Sequence, residues 1–258
     1  MPEETLKLGT LTKALQLIEL LSLNPRGLPL SDMSSRLGFP KSTVHHMLQT
    51  FLVKDYVSQD IETRKYSLGL KFLQVSSRIL EGFDLRDRAR KHLVALQDKS
   101  HEVVHLYVIK NARLICIDKV GGAAGGLSIS SFVGWTTDPH PAAAGKVLLS
   151  DLTNEEILKI YPSGSLKRYG KNTITDLDEL FKELEMVRKQ GYAIDDEEYY
   201  EGVRCIAAPV KAGGRIVASV SITGSIFSMT MKKIGQDLTG LVKKTANTIS
   251  KELINAHL

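Results

Sequence analysis

Hydrophobic positions repeat with a helical period in the first third of the chain. Residues 11–23 predict a helix whose buried face holds Leu11, Ala14, Leu15, Leu17, Ile18 and Leu21. A break at 24–27 ends this helix, and a short second helix follows, which Ser31 is expected to cap. After a tight turn at 38–40, a third helix is predicted over 41–53, with Val44, Leu48, Phe51 and Leu52 on its buried side.

The period then changes from 3.6 to 2, which indicates strands. Two short strands, 56–58 and 64–68, flank a polar tip at 59–63. Helices, tight turn, helix and hairpin in this order predict a winged helix-turn-helix. A further helix is expected to about residue 80, burying Leu70, Leu73, Val75 and Ile79, and another over 83–98. We therefore predict a winged helix-turn-helix domain over 1–70, a linker helix over 71–82 and a second domain over 83–258.

The second domain mixes helices and strands. The capping-box spacing of residues 153–156 opens a short helix, and a stronger one covers 176–190. A terminal helix is expected over about 231–256. Apolar runs of strand length lie at 103–109, 114–117, 127–133, 203–211 and 216–223. Helices set against a mainly antiparallel sheet predict an α+β fold.

Composition limits the class of protein. The chain has 258 residues, 43% of them hydrophobic and 24% charged, and no window reaches the ~18 apolar residues of a membrane-spanning helix. The amino terminus has no secretion leader, and two cysteines make no disulfide framework, so a cytoplasmic location is expected. The net charge is +5, of which +3 falls in residues 1–80, a surplus compatible with a polyanionic partner.

The third predicted helix carries side chains suited to reading DNA. With its apolar side buried, the opposite side presents hydroxyl, imidazole and amide groups that can bond base edges, while its amino-terminal lysine suits a phosphate. The outward and flanking positions are Lys41, Ser42, Thr43, His45, His46 and Gln49. In the hairpin, Arg64 and Lys65 could contact the DNA backbone or minor groove.

Six segments resemble the IclR family of bacterial transcription regulators. In the first domain these segments are 11–21 (LTKALQLIELL), 37–48 (LGFPKSTVHHML) and 64–69 (RKYSLG). In the second domain they are 140–149 (HPAAAGKVLL), 187–198 (VRKQGYAIDDEE) and 202–210 (GVRCIAAPV). The segments span nearly the whole chain in the family's order. One departure is His46, where the family often has Arg, which predicts a weaker or pH-sensitive contact because His titrates near ~6.5.

The resemblance implies a regulator that binds an operator in duplex DNA as a homodimer or homotetramer, preferentially as a repressor. It implies a GAF-like second domain that binds a small effector, an organic or aromatic acid. The matching positions imply a site lined by Ile129, Ala143, Ala144, Asp195, Val203, Cys205, Ser221 and Thr223. Ser221 and Thr223 alternate along a predicted strand and therefore share a face. No cofactor, metal or membrane partner is expected.

Two other functions compete with this interpretation. Cys205 with His140 or His105, oriented by Asp195, would be a nucleophile and base of an enzyme. No spacing requires these residues to meet, and the dinucleotide, phosphate-loop, hydrolase-elbow and zinc patterns are absent from the sequence. The second alternative is a passive DNA-binding or interaction protein with a degenerate pocket, which a ligand panel would distinguish.

Overall fold

A computed structural model describes residues 9–81, 84–122 and 131–254. The chain divides into two units, Met1–Gly82 and Phe83–Leu258. Each unit has its own hydrophobic core. No helix in the described ranges is both long enough and apolar enough to span a bilayer.

The first unit is a winged helix-turn-helix. Its helices are α1 (Thr10–Ser22), α2 (Leu30–Leu37), α3 (Lys41–Val53) and α4 (Lys71–Glu81), and its strands are β1 (Val57–Gln59) and β2 (Tyr66–Leu68). The two strands pair antiparallel, and Leu28 adds a bridge to Tyr66. Leu17, Met33, Val44 and Leu48 are fully buried where the first three helices meet. This core holds α3 by one side only.

The turn between α2 and α3 depends on Gly38. Its φ of 68° lies in the left-handed region, where glycine carries no Cβ penalty. Pro40 then occupies the N-cap position of α3. The predicted cap at Ser31 is wrong, because α2 already begins at Leu30 with Pro29 before it. Ser31 hydrogen-bonds the neighbouring Asp32 side chain instead.

Several apolar side chains of helix α4, and of the residue before it, are exposed. Leu70, Leu73 and Val75 are exposed, contrary to the sequence expectation, whereas Phe72 is half-buried against Tyr56. The side chain of Ile79 lies outside the described residues. The predicted helix itself is confirmed, since α4 forms over Lys71–Glu81. Leu11 and Leu15, on the predicted buried face of α1, are exposed as well. Periodicity identifies an apolar face, whereas burial requires another element to cover that face.

The described strands of the second unit form one six-stranded antiparallel sheet in the order β5-β4-β3-β8-β7-β6. They are β3 (Val103–Lys110), β4 (Arg113–Val120), β5 (Thr136–Thr137), β6 (Ala193–Asp196), β7 (Val203–Ala212) and β8 (Arg215–Ser225). The helices are α5 (Asp84–Ser100), α6 (Ala143–Leu149), α7 (Asn154–Ile160), α8 (Leu177–Gln190), α9 (Met231–Lys233) and α10 (Thr239–Ile254), with a π-helical segment at Ile234–Leu238. The mixture of helices with an antiparallel sheet confirms the α+β prediction.

The two faces of this sheet have different partners. Helices α5 and α10 cover one face, where the main core includes Leu93, Leu106, Val220 and Ile249. Helix α6 covers the other face with its small side chains and Val147. Because successive strand residues point to opposite faces, each strand supplies apolar groups to the main core and a second set of groups to the α6 side.

Local signals placed several helix ends of the second unit correctly. The Thr153 capping box is present, and Gly191 ends α8 with a φ of 75°. The strand expected at 127–133 did not form where it is described, since residues 131–134 are irregular and residues 127–130 lie outside the described ranges. The terminal helix contains the π-helical segment, which the 3.6 period does not reveal.

Candidate DNA-binding surface and ligand cavity

Helix α3 presents a polar strip to solvent, which we call the α3 strip: Lys41, Ser42, His45, His46 and Gln49. Thr43 is half-buried at its edge. The opposite side carries the buried Val44, Met47 and Leu48. A helix advances about 100° per residue, so this one sequence segment builds both the core contact and the exposed strip.

Two side chains at the centre of the α3 strip contact each other. The Gln49 amide Nε2 lies 3.4 Å from His45 Nε2, one helical turn away. The pair therefore offers an amide and an imidazole side by side, with both groups exposed. An amide of this kind can donate to and accept from the edge of one adenine.

The wing tip is a fixed turn that carries two cations. The Asp60 carboxylate Oδ1 accepts hydrogen bonds from Thr63 N at 2.7 Å and Thr63 Oγ1 at 2.8 Å. These bonds hold the pKa of Asp60 below its usual value. Arg64 adopts a left-handed φ of 56°, and both Arg64 and Lys65 are exposed. The turn thus presents two positive side chains to solvent.

In the second unit, one cavity between the sheet and the α6 segment collects most of the predicted effector residues. We call it the sheet cavity; its volume is about 50 Å³. Seven of the eight predicted residues line it, namely Ala143, Ala144, Asp195, Val203, Cys205, Ser221 and Thr223. The eighth, Ile129, lies outside the described residues. The other described lining residues are His105, Tyr107, Ser131, Trp135, Ala142, Tyr199 and Tyr200.

Strand register brings these residues together. Asp195 pairs with Cys205, and Cys205 pairs with Thr223, in one row across three strands. Ser221 pairs with His105 in a neighbouring row. Residues paired across antiparallel strands share a face, so the two rows form the floor of the sheet cavity.

The hydroxyl of Ser221 has no hydrogen-bond partner among the described residues. Ser221 is only 2% exposed, and its Oγ atom is fully buried. A buried polar atom without a partner is costly, so native proteins rarely keep one that serves no purpose. Ser219, two residues earlier on the same strand face, instead donates to the Ala208 carbonyl at 3.3 Å.

His105 lies beside Ser221 in the floor and is electrically neutral. Its Nε2 is 2.8 Å from Ser131 Oγ, and its Nδ1 is 3.5 Å from Thr223 Oγ1. Burial, with a smaller contribution from Lys119, lowers the pKa of His105 to about 3. The ring therefore contributes hydrogen-bonding capacity and no positive charge near neutral pH.

Asp195 is the acidic group of the described lining. Its Oδ1 accepts hydrogen bonds from Glu198 N at 2.8 Å and Tyr199 N at 3.4 Å. Burial raises its pKa to about 6 despite these bonds. The carboxyl group is therefore close to its titration point at neutral pH.

A buried ion cluster adjoins Asp195. Lys146 of α6, 1% exposed, places Nζ 2.5 Å from Glu198 Oε1 and 3.1 Å from Glu183 Oε1. Burial raises the pKa of Glu198 to about 7. The lysine is committed to these two carboxylates, which tie α6 to α8 and to the segment after β6.

The geometry does not provide an active nucleophile and base from Cys205 and either histidine. His105 and Asp195 line the sheet cavity with Cys205, but burial lowers the pKa of His105 to about 3, so its ring is a weak base. The described cavity lining does not include His140, whose ring bonds the Lys167 carbonyl at 2.9 Å and lies 3.3 Å from the Tyr161 hydroxyl. Burial raises the pKa of Cys205 well above 9, so its sulfur stays a thiol, the less nucleophilic form. Among the described residues, no three His, Cys, Asp or Glu side chains are grouped to hold a metal ion.

Both units match one protein family. Residues 10–60 match the IclR helix-turn-helix domain, and residues 77–251 match the C-terminal domain of bacterial IclR transcriptional regulators. The chain belongs to the IclR family. It is therefore a DNA-binding transcriptional regulator, and IclR-family proteins regulate transcription and are not enzymes.

Named relatives and solved structures agree with this assignment. The DNA-binding transcriptional repressor YiaJ of Escherichia coli is 32% identical over 95% of this chain and 87% of its own length. The Thermotoga maritima IclR structure has a TM-score of 0.81, is 30% identical, and covers 95% of this chain and 98% of its own. An IclR homologue from Microbacterium hydrocarbonoxydans, solved with 4-hydroxybenzoate, has a TM-score of 0.79 at 20% identity, covering 95% and 99%.

Sequence reasoning missed part of the cavity wall. His105 entered only as a candidate base, and Tyr107, Trp135 and Tyr199 were not singled out at all. A signal for two of them was present, because His105 and Tyr107 alternate with the core residues Val104 and Leu106 along β3. Trp135 and Tyr199 lie in irregular or edge segments, where no periodic pattern identifies the facing surface.

Proposed function

We propose that this IclR-family protein represses its target genes by binding an operator, and that a small organic or aromatic acid bound in the second unit changes operator affinity. Residues 1–70 would bind DNA, 71–82 would link, and 83–258 would bind the effector and assemble subunits. Such a regulator would act in the bacterial cytoplasm, where the operator lies.

The unpartnered Ser221 hydroxyl carries the effector part of this proposal. It faces a cavity whose other polar groups include Thr223, Ser131 and Asp195. A ligand oxygen placed against Ser221 would satisfy a buried hydroxyl that is otherwise unpaired. The 4-hydroxybenzoate complex of the Microbacterium homologue is consistent with an acid as the ligand class.

The DNA part depends on the α3 strip. We infer that this strip enters the major groove, while Arg64 and Lys65 contact the phosphate backbone. The support is that every strip residue is exposed on the side of α3 opposite the core. The purified protein can be used to select duplex fragments from genomic DNA, and sequencing these fragments would identify the operator. Operator binding can then be measured by fluorescence anisotropy.

Two glutamines provide a matched test of the strip. Gln49→Ala should weaken operator binding by about 1–3 kcal/mol if the amide reads an adenine. Gln74→Ala removes the same side chain from exposed α4, where it accepts a bond from Lys71, and should leave binding unchanged. Equal effects of the two variants, or retention of no genomic sequence in preference to bulk DNA, would contradict the interpretation.

A thermal-shift panel of carboxylic and aromatic acids tests the effector. A ligand at 100 times its Kd stabilises the folded state by about 2.7 kcal/mol, a rise of roughly 5–10 °C for a unit of this size. A ligand found in this way should change operator affinity, and Ser221→Ala with Thr223→Val should abolish the change. Silence across the panel would favour a passive DNA-binding protein.

We also propose that the chain forms a homodimer or homotetramer, in which exposed apolar side chains of residues 1–82 contribute to the subunit interface beside residues 83–258. Leu11 on α1 is 75% exposed and Leu73 on α4 is 65% exposed, large apolar groups that a second subunit would cover. A two-fold dimer would read half-sites about 34 Å apart. Sedimentation should show the oligomer, and Leu11→Lys with Leu73→Lys should shift it toward monomer, whereas an unchanged mass would contradict this interface.

A further inference from the structure

The sheet cavity has an acidic lining, which is unfavourable for an anionic effector. Asp195 lines it, and the described lining contains no Lys or Arg. An anion entering this space would lie close to a second carboxylate in a buried setting. Two like charges that share a low-dielectric site raise the pKa of one of them, so that one carboxyl group takes up a proton.

The charged groups around Asp195 do not neutralise it. On α6, Lys146 already bonds two carboxylates, Glu198 and Glu183. The segment after β6 contributes two backbone N–H donors to Asp195 Oδ1, from residues 198 and 199, and the Tyr199 ring. Three carboxyl groups, those of Asp195, Glu198 and Glu183, are therefore close to a single lysine, Lys146.

The residues of β7 and β3 that line the sheet cavity with Asp195 are uncharged. Cys205 on β7 is its register partner and stays a thiol. On β3, His105 is neutral, and burial raises the pKa of Tyr107 well above 10. Lys119 on β4 is the register partner of His105, but its ammonium group donates to the Ser131 carbonyl at 2.6 Å and is not part of the described cavity lining.

We infer that the sheet cavity binds an anionic effector together with one proton, which the Asp195 carboxyl group holds. The inference rests on the proposed effector function. The proton comes from solvent and forms an O–H bond on the carboxyl group; no other bond is made or broken. Protonated Asp195 then becomes a donor toward the effector carboxylate, alongside the Ser221 hydroxyl. The ligand class is a compact monocarboxylate.

The size of the effect follows from the titration of Asp195. With a pKa of about 6, the protonated form is roughly a tenth of the population at pH 7, and it falls tenfold for each further pH unit. If binding requires this form, the apparent Kd equals the intrinsic Kd of the protonated form divided by the protonated fraction. Affinity for the monocarboxylate should therefore fall about fivefold between pH 6 and 7 and nearly tenfold between pH 7 and 8.

Isothermal titration calorimetry of the full chain tests this with paired probes. The probes are lactate, benzoate and 4-hydroxybenzoate, each with its primary amide, at pH 6, 7 and 8. Two buffers of different ionisation enthalpy at each pH report the number of protons taken up. We expect a carboxylate to bind with uptake of nearly one proton at pH 8, and an amide to bind without uptake or pH dependence.

Neighbouring aspartates supply the matched variants. Asp195→Asn should remove the pH slope, because the carboxamide donates at every pH. Asp196→Asn alters the next residue, which bonds Arg204 at 2.6–2.8 Å, and should keep the slope. Proton uptake in the unmodified protein decides the question even if a variant fails to fold.

Three results would overturn the inference while leaving the effector function in place. They are carboxylate affinity independent of pH, a slope that survives Asp195→Asn because Glu198 takes the proton, and binding of amides with no binding of acids at pH 6. Failure of every probe, acid and amide, would instead count against the proposed effector function itself.

Discussion

Replacing Ser221 with Ala should stabilise the second unit while removing a ligand contact. The buried hydroxyl has no partner among the described residues, and such a group costs about 1–3 kcal/mol. A methyl group in the same space carries no such cost. We expect the free energy of unfolding to rise by about 1 kcal/mol or more, which is about 2–4 °C in Tm per kcal/mol for a unit of this size.

Urea unfolding followed by Trp135 fluorescence measures this change. Trp135 is the single tryptophan of the chain and lies in the wall of the sheet cavity, so its emission reports on the second unit within the intact protein. Ser219→Ala is the matched control, since it removes an equally buried hydroxyl that donates to the Ala208 carbonyl and should cost about 0.5–1.5 kcal/mol.

The prediction is that the two serine variants change the free energy of unfolding in opposite directions. If Ser221→Ala destabilises the unit as much as Ser219→Ala does, the Ser221 hydroxyl has a hydrogen-bond partner in the free protein, contrary to this prediction. If it stabilises the unit and also abolishes the effector response, the hydroxyl is kept for binding at the expense of stability.

Three further predictions concern the wing, the first core and a buried imidazole. Arg64→Ala should lower the salt slope of operator binding by about 0.9, whereas Arg215→Ala, an equal charge loss on the second unit, should leave the slope unchanged in anisotropy titrations. Leu48→Ala should cost about 2–5 kcal/mol by denaturant-monitored circular dichroism, against almost nothing for the exposed Leu23→Ala. His105 has a folded pKa of about 3, below its unfolded value, so it contributes stability above pH 6.5 that is lost as pH falls toward 3. His105→Asn should therefore remove about 1.4 kcal/mol per pH unit of acid sensitivity below pH 6.5 in urea titrations, and an unchanged acid limb would contradict this.

Local sequence determined the helices, their ends and the two-sided character of α3. Residues spaced three and four apart share a helix side whatever packs on them, so the pattern that buries Val44 and Leu48 also exposes His45 and Gln49. The Thr153 capping box and the glycines at 38 and 191 act within a turn of their own helices. Such signals can be read from the chain because the interacting atoms are neighbours in sequence.

Only the tertiary structure decided which residues surround the sheet cavity and which apolar faces are covered. Strand alternation showed that Ser221 and Thr223 share a face, but not that His105, 116 residues earlier than Ser221, would lie beside it through strand pairing. The same limit explains why Leu73 is exposed despite its helical spacing. Burial, missing hydrogen-bond partners and the raised pKa of Asp195 depend on groups far apart in the chain, and these distances are set by packing.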